Sequence, residues 1–320
     1  MFRHTAAIGA DIGRLSLKIA VVRAEGELIE VRSFPLTRKH TKTYILSRLA
    51  DGIEQMRKLV APEGINPICI GISAKGFIDH QEGTVLGPDQ GIDGWSDVPL
   101  AKLLNRETGL PVFVGNDANL MTVAEHRFGV ARNYKNIVFV ALRTGIGGGI
   151  IINGKLYRGA NNAGGEIGQM IINYEGGLSD KGIRGSFEHY ASASALVRRY
   201  YEITGTAPGS KGEMLTCKEI FELSYRNDKA AVMAVAENAR LVGIGLANVI
   251  MIFAPEMIVL GGGMAEARDS YLTMIRESAF ASSLGNCGSD VRIERAELGQ
   301  NASLLGSAYY SMIRLAGKNI

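Results

Sequence analysis

The sequence predicts an α/β fold of two lobes, each built on a mixed sheet and related by duplication, and three observations predict it. An apolar strand twice runs into a glycine-containing corner and returns as a second strand, at Ala6-Ala7-Ile8-Gly9-Ala10-Asp11-Ile12-Gly13 and at Ile137-Val138-Phe139-Val140-Ala141-Leu142-Arg143-Thr144-Gly145-Ile146-Gly147-Gly148-Gly149. Each corner leads through a further apolar stretch (Leu17 to Val22, Ile150 to Ile152) and a turn (Ala24-Glu25-Gly26-Glu27, Asn153-Gly154-Lys155) into a third short strand. Elsewhere apolar strands alternate with amphipathic helices, the pattern of a partly parallel sheet. Glycine at such a corner allows positive φ and brings backbone N–H groups close to an anion. Two facing corners are therefore expected to hold a chain of phosphates between the lobes, which points to nucleotide binding and phosphoryl transfer.

The elements follow in order. Tyr44 to Leu59 places Ile45, Leu46, Leu49, Ile53, Met56 and Leu59 on one helical face, ended by Pro62 and Gly64. Ile68-Cys69-Ile70-Gly71-Ile72-Ser73 reads as a buried parallel strand, and Pro99 to Leu104 opens a helix. Pro111-Val112-Phe113-Val114 is the next strand, and the helix after Asn116-Asp117 carries Leu120, Val123, Ala124 and Phe128 before stopping at Gly129. The second half repeats the order. Its meander precedes a long helical region from about Phe187 to Ile203, helices around Cys217 to Tyr225 and Lys229 to Phe253, the strand Met257-Ile258-Val259-Leu260 and a terminal helix over Leu304 to Leu315. With no linker rich in Pro or Ser, the repeat itself sets the boundary near Gly115. The expected lobes are residues 1–115, with the terminal helix 304–320 packing back on them, and residues 116–303.

Composition narrows the function classes. A chain of 320 residues with 46% hydrophobic and 21% charged residues can bury two ordinary cores. The net charge of +3 comes without a basic block, so neither nucleic acid nor an anionic membrane surface is an expected partner. Cys69, Cys217 and Cys287 are odd in number, far apart and form no CxxC, which argues for buried thiols in a reducing compartment. Met1-Phe2-Arg3-His4 leads straight into the first strand without the apolar core of a leader, and no run of about 18 apolar residues marks a membrane span. A cytoplasmic location is the expectation.

Several segments carry candidate chemistry, each beside a plainer reading. Asn116-Asp117-Ala118-Asn119 stands where a strand becomes a helix, at the carboxyl edge where open α/β sheets bind ligands. It reads as a helix N-cap, or as a general base that takes a proton from a substrate hydroxyl attacking phosphorus. Thr144-Gly145-Ile146-Gly147-Gly148-Gly149 holds more glycine than a hairpin needs. The imitation of a Walker loop over Gly149 to Lys155 fails, because Leu156 stands where Ser or Thr is required. Gly261-Gly262-Gly263 suits a seat under a flat base or a simple strand-to-helix turn. Ala163-Gly164-Gly165-Glu166-Ile167-Gly168-Gln169 and Glu188 offer acceptors and donors suited to vicinal hydroxyls, although Glu188 in a first helical turn also suits the macrodipole.

In order and spacing these residues resemble the ROK family of sugar kinases and sugar-responsive repressors. The resemblance covers nearly the whole chain and implies the actin-like, hexokinase-like (ribonuclease H-like) duplicated fold. Its specific pieces are Asp11-Ile12-Gly13, Gly71 to Asp79, Asn116-Asp117-Ala118-Asn119, Thr144 to Gly159, Glu166-Ile167-Gly168 and Val259-Leu260-Gly261-Gly262-Gly263. It implies that Asp117 is the base, that Asn116, Glu166 and Glu188 bind sugar hydroxyls with Gln169 in reach of one, and that Asp11, Gly13, Thr144, Gly145 and Gly262 serve a nucleotide bound with its metal. The implied activity is ATP-dependent phosphorylation of a hexose or an N-acylated hexosamine with Mg²⁺, by a homodimer.

The chain departs from the family pattern at definite places. Arg14 and Leu15 replace a Gly-Thr pair at the first corner, Arg143 replaces a Gly at the second, and Lys75 replaces a proline. These changes favour the alternative reading, a non-catalytic sugar sensor or transcriptional regulator on the same scaffold. The first strand beginning near Ala6 leaves no room for the helix-turn-helix domain of family repressors, which favours the kinase. The family's zinc ligands, a His and three Cys, are replaced by Gln169 and the loop Lys181-Gly182-Ile183-Arg184-Gly185-Ser186, so no zinc is expected.

Overall fold

The computed structural model describes residues 5–36, 40–87, 91–207, 209, 214–288 and 290–318. The expected leaderless start at Met1 to His4 and the last two residues of the expected terminal helix lie outside these. In chain order the first part forms β1 (Ala6–Ile12), β2 (Ser16–Arg23), β3 (Leu28–Pro35), β4 (His40–Thr41), α1 (Lys42–Val60), β5 (Ile70–Ala74), β6 (Phe77–Asp79), β7 (Thr84–Leu86), β8 (Ile92–Asp93), α2 (Leu100–Thr108), β9 (Val112–Asn116) and α3 (Asp117–Arg127). The remainder forms β10 (Ile137–Leu142), β11 (Ile146–Ile152), β12 (Lys155–Tyr157), α4 (Phe187–Ala191), α5 (Ala193–Thr204), α6 (Cys217–Tyr225), α7 (Lys229–Phe253), β13 (Met257–Gly261), α8 (Asp269–Ser282), α9 (Gly285–Gly288), β14 (Arg292–Arg295) and α10 (Ala302–Leu315).

The duplication is visible in strand order. One five-stranded sheet runs β3-β2-β1-β5-β9 and the other β12-β11-β10-β13-β14. In the first, β1–β2 and β2–β3 are antiparallel while β1–β5 and β5–β9 are parallel. In the second, β11–β12 is antiparallel while β10–β13 and β13–β14 are parallel. The central strands β1, β5, β10 and β13 are almost wholly buried, which is why they read as continuous apolar runs rather than alternating ones.

Two compact units result: Met1–Asn133 with Ile150–Gly164 and Leu298–Ile320, and Tyr134–Gly149 with Gly165–Glu297. In the first, Thr41 caps α1 by accepting from the Tyr44 N–H at 3.2 Å, and Ile45, Leu49, Ile53, Met56 and Val60 lie on its buried face. Each such side chain contributes roughly 1.5–3 kcal/mol by burial. Helix α10 packs against β1, β5 and α3. That approach requires glycine below it, since a Cβ on Gly71 would lie 1.8 Å from the Ser307 carbonyl oxygen. The buried Cys69 thiol donates to Ser311 Oγ at 3.2 Å across the same contact.

In the second unit α7 packs against α4, α5, α6 and α8. Asp228 caps it, accepting from the Ala231 N–H at 2.9 Å. Among the described residues this is the one helix long and apolar enough to cross a membrane, and 56% of its apolar window is buried inside the protein. A capping box opens α6, with the Thr216 N–H donating to Glu219 Oε2 at 2.7 Å and the Glu219 N–H donating to Thr216 Oγ1 at 3.3 Å. The single helix expected from about Phe187 to Ile203 is two. Ser192 closes α4 in an extended conformation and caps α5, accepting from the Ala195 N–H at 3.3 Å.

Candidate active site

Three parallel strands bring the first unit's candidates to one sheet edge. Asp11 pairs in register with Ser73, and Ser73 with Gly115, so Asp11 and the Asn116-Asp117 turn stand at the carboxyl ends of β1 and β9 with β5 between them. The Ser73 hydroxyl donates to Asp11 Oδ1 at 2.7 Å, which fixes the carboxylate. Gly13 closes the first corner, donating its N–H to the Ser16 carbonyl at 3.0 Å. Arg14 and Leu15 form the exposed tip, Leu15 at 66% exposure, and Lys75 is exposed as well.

The Asn116-Asp117 turn divides its duties. Asn116 is the N-cap of α3: its Oδ1 accepts from the Asn119 N–H at 3.1 Å, and its Nδ2 donates to the Gly76 carbonyl at 3.1 Å. Asp117 is the first residue of the helix proper, half-buried, with Oδ1 accepting from the Ala118 N–H at 2.9 Å. The positive helix end favours a carboxylate there, while the capping bond is made by its neighbour.

In the second unit the glycine corner meets Glu188. Its carboxylate accepts from the Ile146 N–H at 2.8 Å, forms an ion pair with Lys181 Nζ at 2.9 Å and accepts from Gln169 Nε2 at 3.3 Å. Gly145 lies beneath it, and a Cβ there would stand 2.3 Å from Glu188 Oε2. Gln169 Oε1 is buried and has no hydrogen-bond partner. Glu166 is exposed just before the 3₁₀ turn Ile167–Gln169, its carbonyl accepting from the Gln169 N–H at 3.0 Å.

An amide, an ammonium and one carboxylate do not make a zinc donor set, and no cluster of three or more His, Cys, Asp or Glu side chains among the described residues is placed to hold a metal. Within the loop, Arg184 Nη1 donates to the Gly176 carbonyl at 2.7 Å and Ser179 Oγ accepts from the Ile183 N–H at 3.1 Å.

Gly262 completes this corner. Its φ of +87° and a Cβ position 2.4 Å from the Leu142 carbonyl oxygen admit no side chain, so β13 turns directly over the end of β10. The Ala193 N–H donates to the Arg143 carbonyl at 2.9 Å, tying the start of α5 to the same corner. Beside it opens a pocket of about 510 Å³, with Thr144, Ser194, Arg198, Tyr201, Met214 and Cys217 in its wall. The second unit thus gathers Thr144, Gly145, Gln169, Glu188 and Gly262, and the first unit Asp11, Gly13, Asn116 and Asp117. Sequence reasoning missed Ser73 and Lys181. Ser73 is found only through the β1–β5 register, and Lys181 carries no signal beyond its charge.

The sequence profile described as the ROK family matches residues 7–312. A glucokinase of Halalkalibacterium halodurans is 31% identical over 310 residues, 94% of this chain and 93% of that protein. A xylose repressor of Bacillus subtilis is 32% identical over 266 residues, 83% of this chain and 65% of that protein. A crystal structure of a ROK family glucokinase from Streptomyces griseus in complex with glucose and AMPPNP superposes with a TM-score of 0.80 at 30% identity, covering 96% of this chain and 99% of that one.

Proposed function

We propose, from the premise that the chain belongs to the ROK family, that it is an ATP-dependent sugar kinase acting on a hexose or an N-acylated hexosamine. The observation that carries the reading is the division of labour at the Asn116-Asp117 turn. Asn116 makes the capping bond, and Asp117 presents a carboxylate from the first turn of α3. In the reaction Asp117 takes the proton from the attacking sugar hydroxyl as the hydroxyl oxygen bonds to the γ-phosphorus, while the bond from that phosphorus to the β–γ bridging oxygen breaks and ADP leaves with the electron pair. Asn116, Glu166, Gln169 and Glu188 orient the sugar, Gln169 Oε1 offering a buried acceptor still lacking a donor. Backbone around Gly13 and the Thr144-Gly145 corner faces the phosphates, and the pocket beside Thr144 takes the nucleoside.

Mg²⁺ binds through one or two carboxylates plus substrate phosphates, and Asp11, held by Ser73, fits that need. When bound, the ion neutralises charge on the phosphates. The working form in this reading is a cytoplasmic homodimer, consistent with three well-separated free cysteines and with the symmetric assemblies common among enzymes of this size. The glucokinase of H. halodurans and the AMPPNP complex from S. griseus support ATP as donor.

A second reading, a non-catalytic sugar sensor or regulator, is favoured by the xylose repressor's similarity and by Arg14, Leu15, Lys75 and Arg143 at or near the corners. Thermal-shift titration separates the two. Stabilisation by sugar and by ATP with Mg²⁺, together with sugar-dependent ADP release, supports the kinase, whereas stabilisation by sugar alone supports the sensor.

A further inference from the structure

A further pocket, of about 600 Å³, lies wholly within the first unit, with His80, Gln81, Lys155, Arg158 and Arg314 in its wall. Neither Asp11 nor Asp117 lines it. Its core is a pair of guanidinium groups over one aromatic ring: Arg158 and Arg314 lie 5.5 and 5.9 Å from the centroid of Tyr310. Tyr310 is fully buried, and its hydroxyl lies beside both arginines.

No lining residue is acidic, and Arg158 has no ion-pair partner among the described residues. The nearby Asp79 has Oδ1 occupied by the backbone N–H groups of Gln81 and Glu82 at 2.9 and 3.2 Å. Burial, then the like charge of Arg314, holds Arg158 below its ordinary range. Burial, then Arg158, lowers His80, which therefore stays neutral near pH 7. Two partly desolvated cations without an anion cost free energy that a bound dianion would recover, and paired guanidinium groups match the oxygens of a phosphate.

We propose that this pocket binds a phosphate dianion, carried as the phosphomonoester of a small metabolite. The volume exceeds what a bare phosphate fills, and the wall beyond the arginines is mixed, with Leu156, Tyr157 and Gln81 to meet an organic body. Arg158 also borders a small cavity shared with His80, Asn116, Asn119 and Asn162, where His80 Nδ1 lies 2.5 Å from Asn162 Oδ1. A ligand held by Arg158 is thus one side chain away from the α3 cap, which makes the site suited to regulation.

Isothermal titration of the full chain with inorganic phosphate and with ribose 5-phosphate, against NaCl of matched ionic strength, tests this. The expected result is saturable binding, tighter for ribose 5-phosphate, with Kd raised at least tenfold in both Arg158→Gln and Arg314→Gln. Equal affinity for the two probes would overturn the phosphomonoester assignment and leave a site for free phosphate. Absence of saturable binding, or the same Kd in wild type and both variants, overturns the site itself. Should Arg158→Gln fold poorly, Arg314→Gln, altered on the half-buried last turn of α10, decides alone. The His80 ring, followed by NMR, provides a second readout: its pKa rises when phosphate binds and stays fixed if phosphate binds elsewhere.

Discussion

Asp117→Asn and Asn116→Ala separate chemistry from capping at one turn. Removing the Asn116 side chain deletes the bond to the Asn119 N–H and the bond to the Gly76 carbonyl, both at 3.1 Å. A lost cap costs about 1 kcal/mol and a further half-exposed hydrogen bond about 0.5–1.5 kcal/mol, so Asn116→Ala destabilises by about 2 kcal/mol. For units of this size that lowers Tm by about 4–8 °C. Asp117→Asn leaves the Asn116 cap in place and weakens the carboxylate's interaction with the helix end, worth roughly 0.3–1 kcal/mol. Its turnover nevertheless falls about 10²-fold or more, the range for a lost general base, with sugar binding retained. The assay pairs calorimetric Tm with kcat from coupled ADP release. Unchanged turnover in Asp117→Asn refutes the base assignment, and a larger loss of Tm in Asp117→Asn than in Asn116→Ala refutes the division of roles.

Glu188→Gln, which removes the partner of Lys181, raises the sugar KM about tenfold or more, and an unchanged KM would take Glu188 out of the sugar site. Gly71→Val drives a side chain into the Ser307 carbonyl and abolishes the native packing of α10, read as a loss of soluble, cooperatively unfolding protein; a Tm within 2 °C of wild type, about the resolution of such a comparison, contradicts that packing. Burial pushes the Cys69 thiol up to about 11, so it stays protonated at pH 8.5 and resists alkylation until the protein unfolds. Because its folded value lies above the unfolded one, Cys69 favours the folded state below about pH 9 and this contribution is lost as pH rises further; rapid native labelling of Cys69 would contradict the burial. Elemental analysis of protein purified without chelator shows no stoichiometric zinc, whereas bound zinc whose removal lowers Tm would mean that other ligands assemble around Glu188.

Much of the fold was legible because strong local signals agreed with burial. The helices Cys217–Tyr225 and Lys229–Phe253 were expected at about the bounds observed from their periodicity, and in the structure Thr216 and Asp228 cap them. The two glycine corners announced the repeat. What escaped depended on partners distant in sequence or on weak periodicity: α8 and β14 were not anticipated, and the break at Ser192 was hidden inside a continuous helical pattern. The candidate residues themselves were legible from motif order. Their roles as neighbours were not, because the Ser73–Asp11 bond follows from strand register, and the contacts of Lys181 and Gln169 with Glu188 follow from how a loop folds back. Arg158 and Arg314 are 156 positions apart and meet only because α10 returns to the first unit.

The kinase reading meets its most direct test in ADP release from ATP and Mg²⁺ across a panel of hexoses and N-acylated hexosamines, with thermal stability followed in parallel. The account predicts that at least one sugar both stabilises the protein and drives ADP release well above the sugar-free rate, and that Asp117→Asn keeps the first effect and loses the second. Stabilisation by a sugar with no ADP release from any member of the panel would contradict it and leave the sensor.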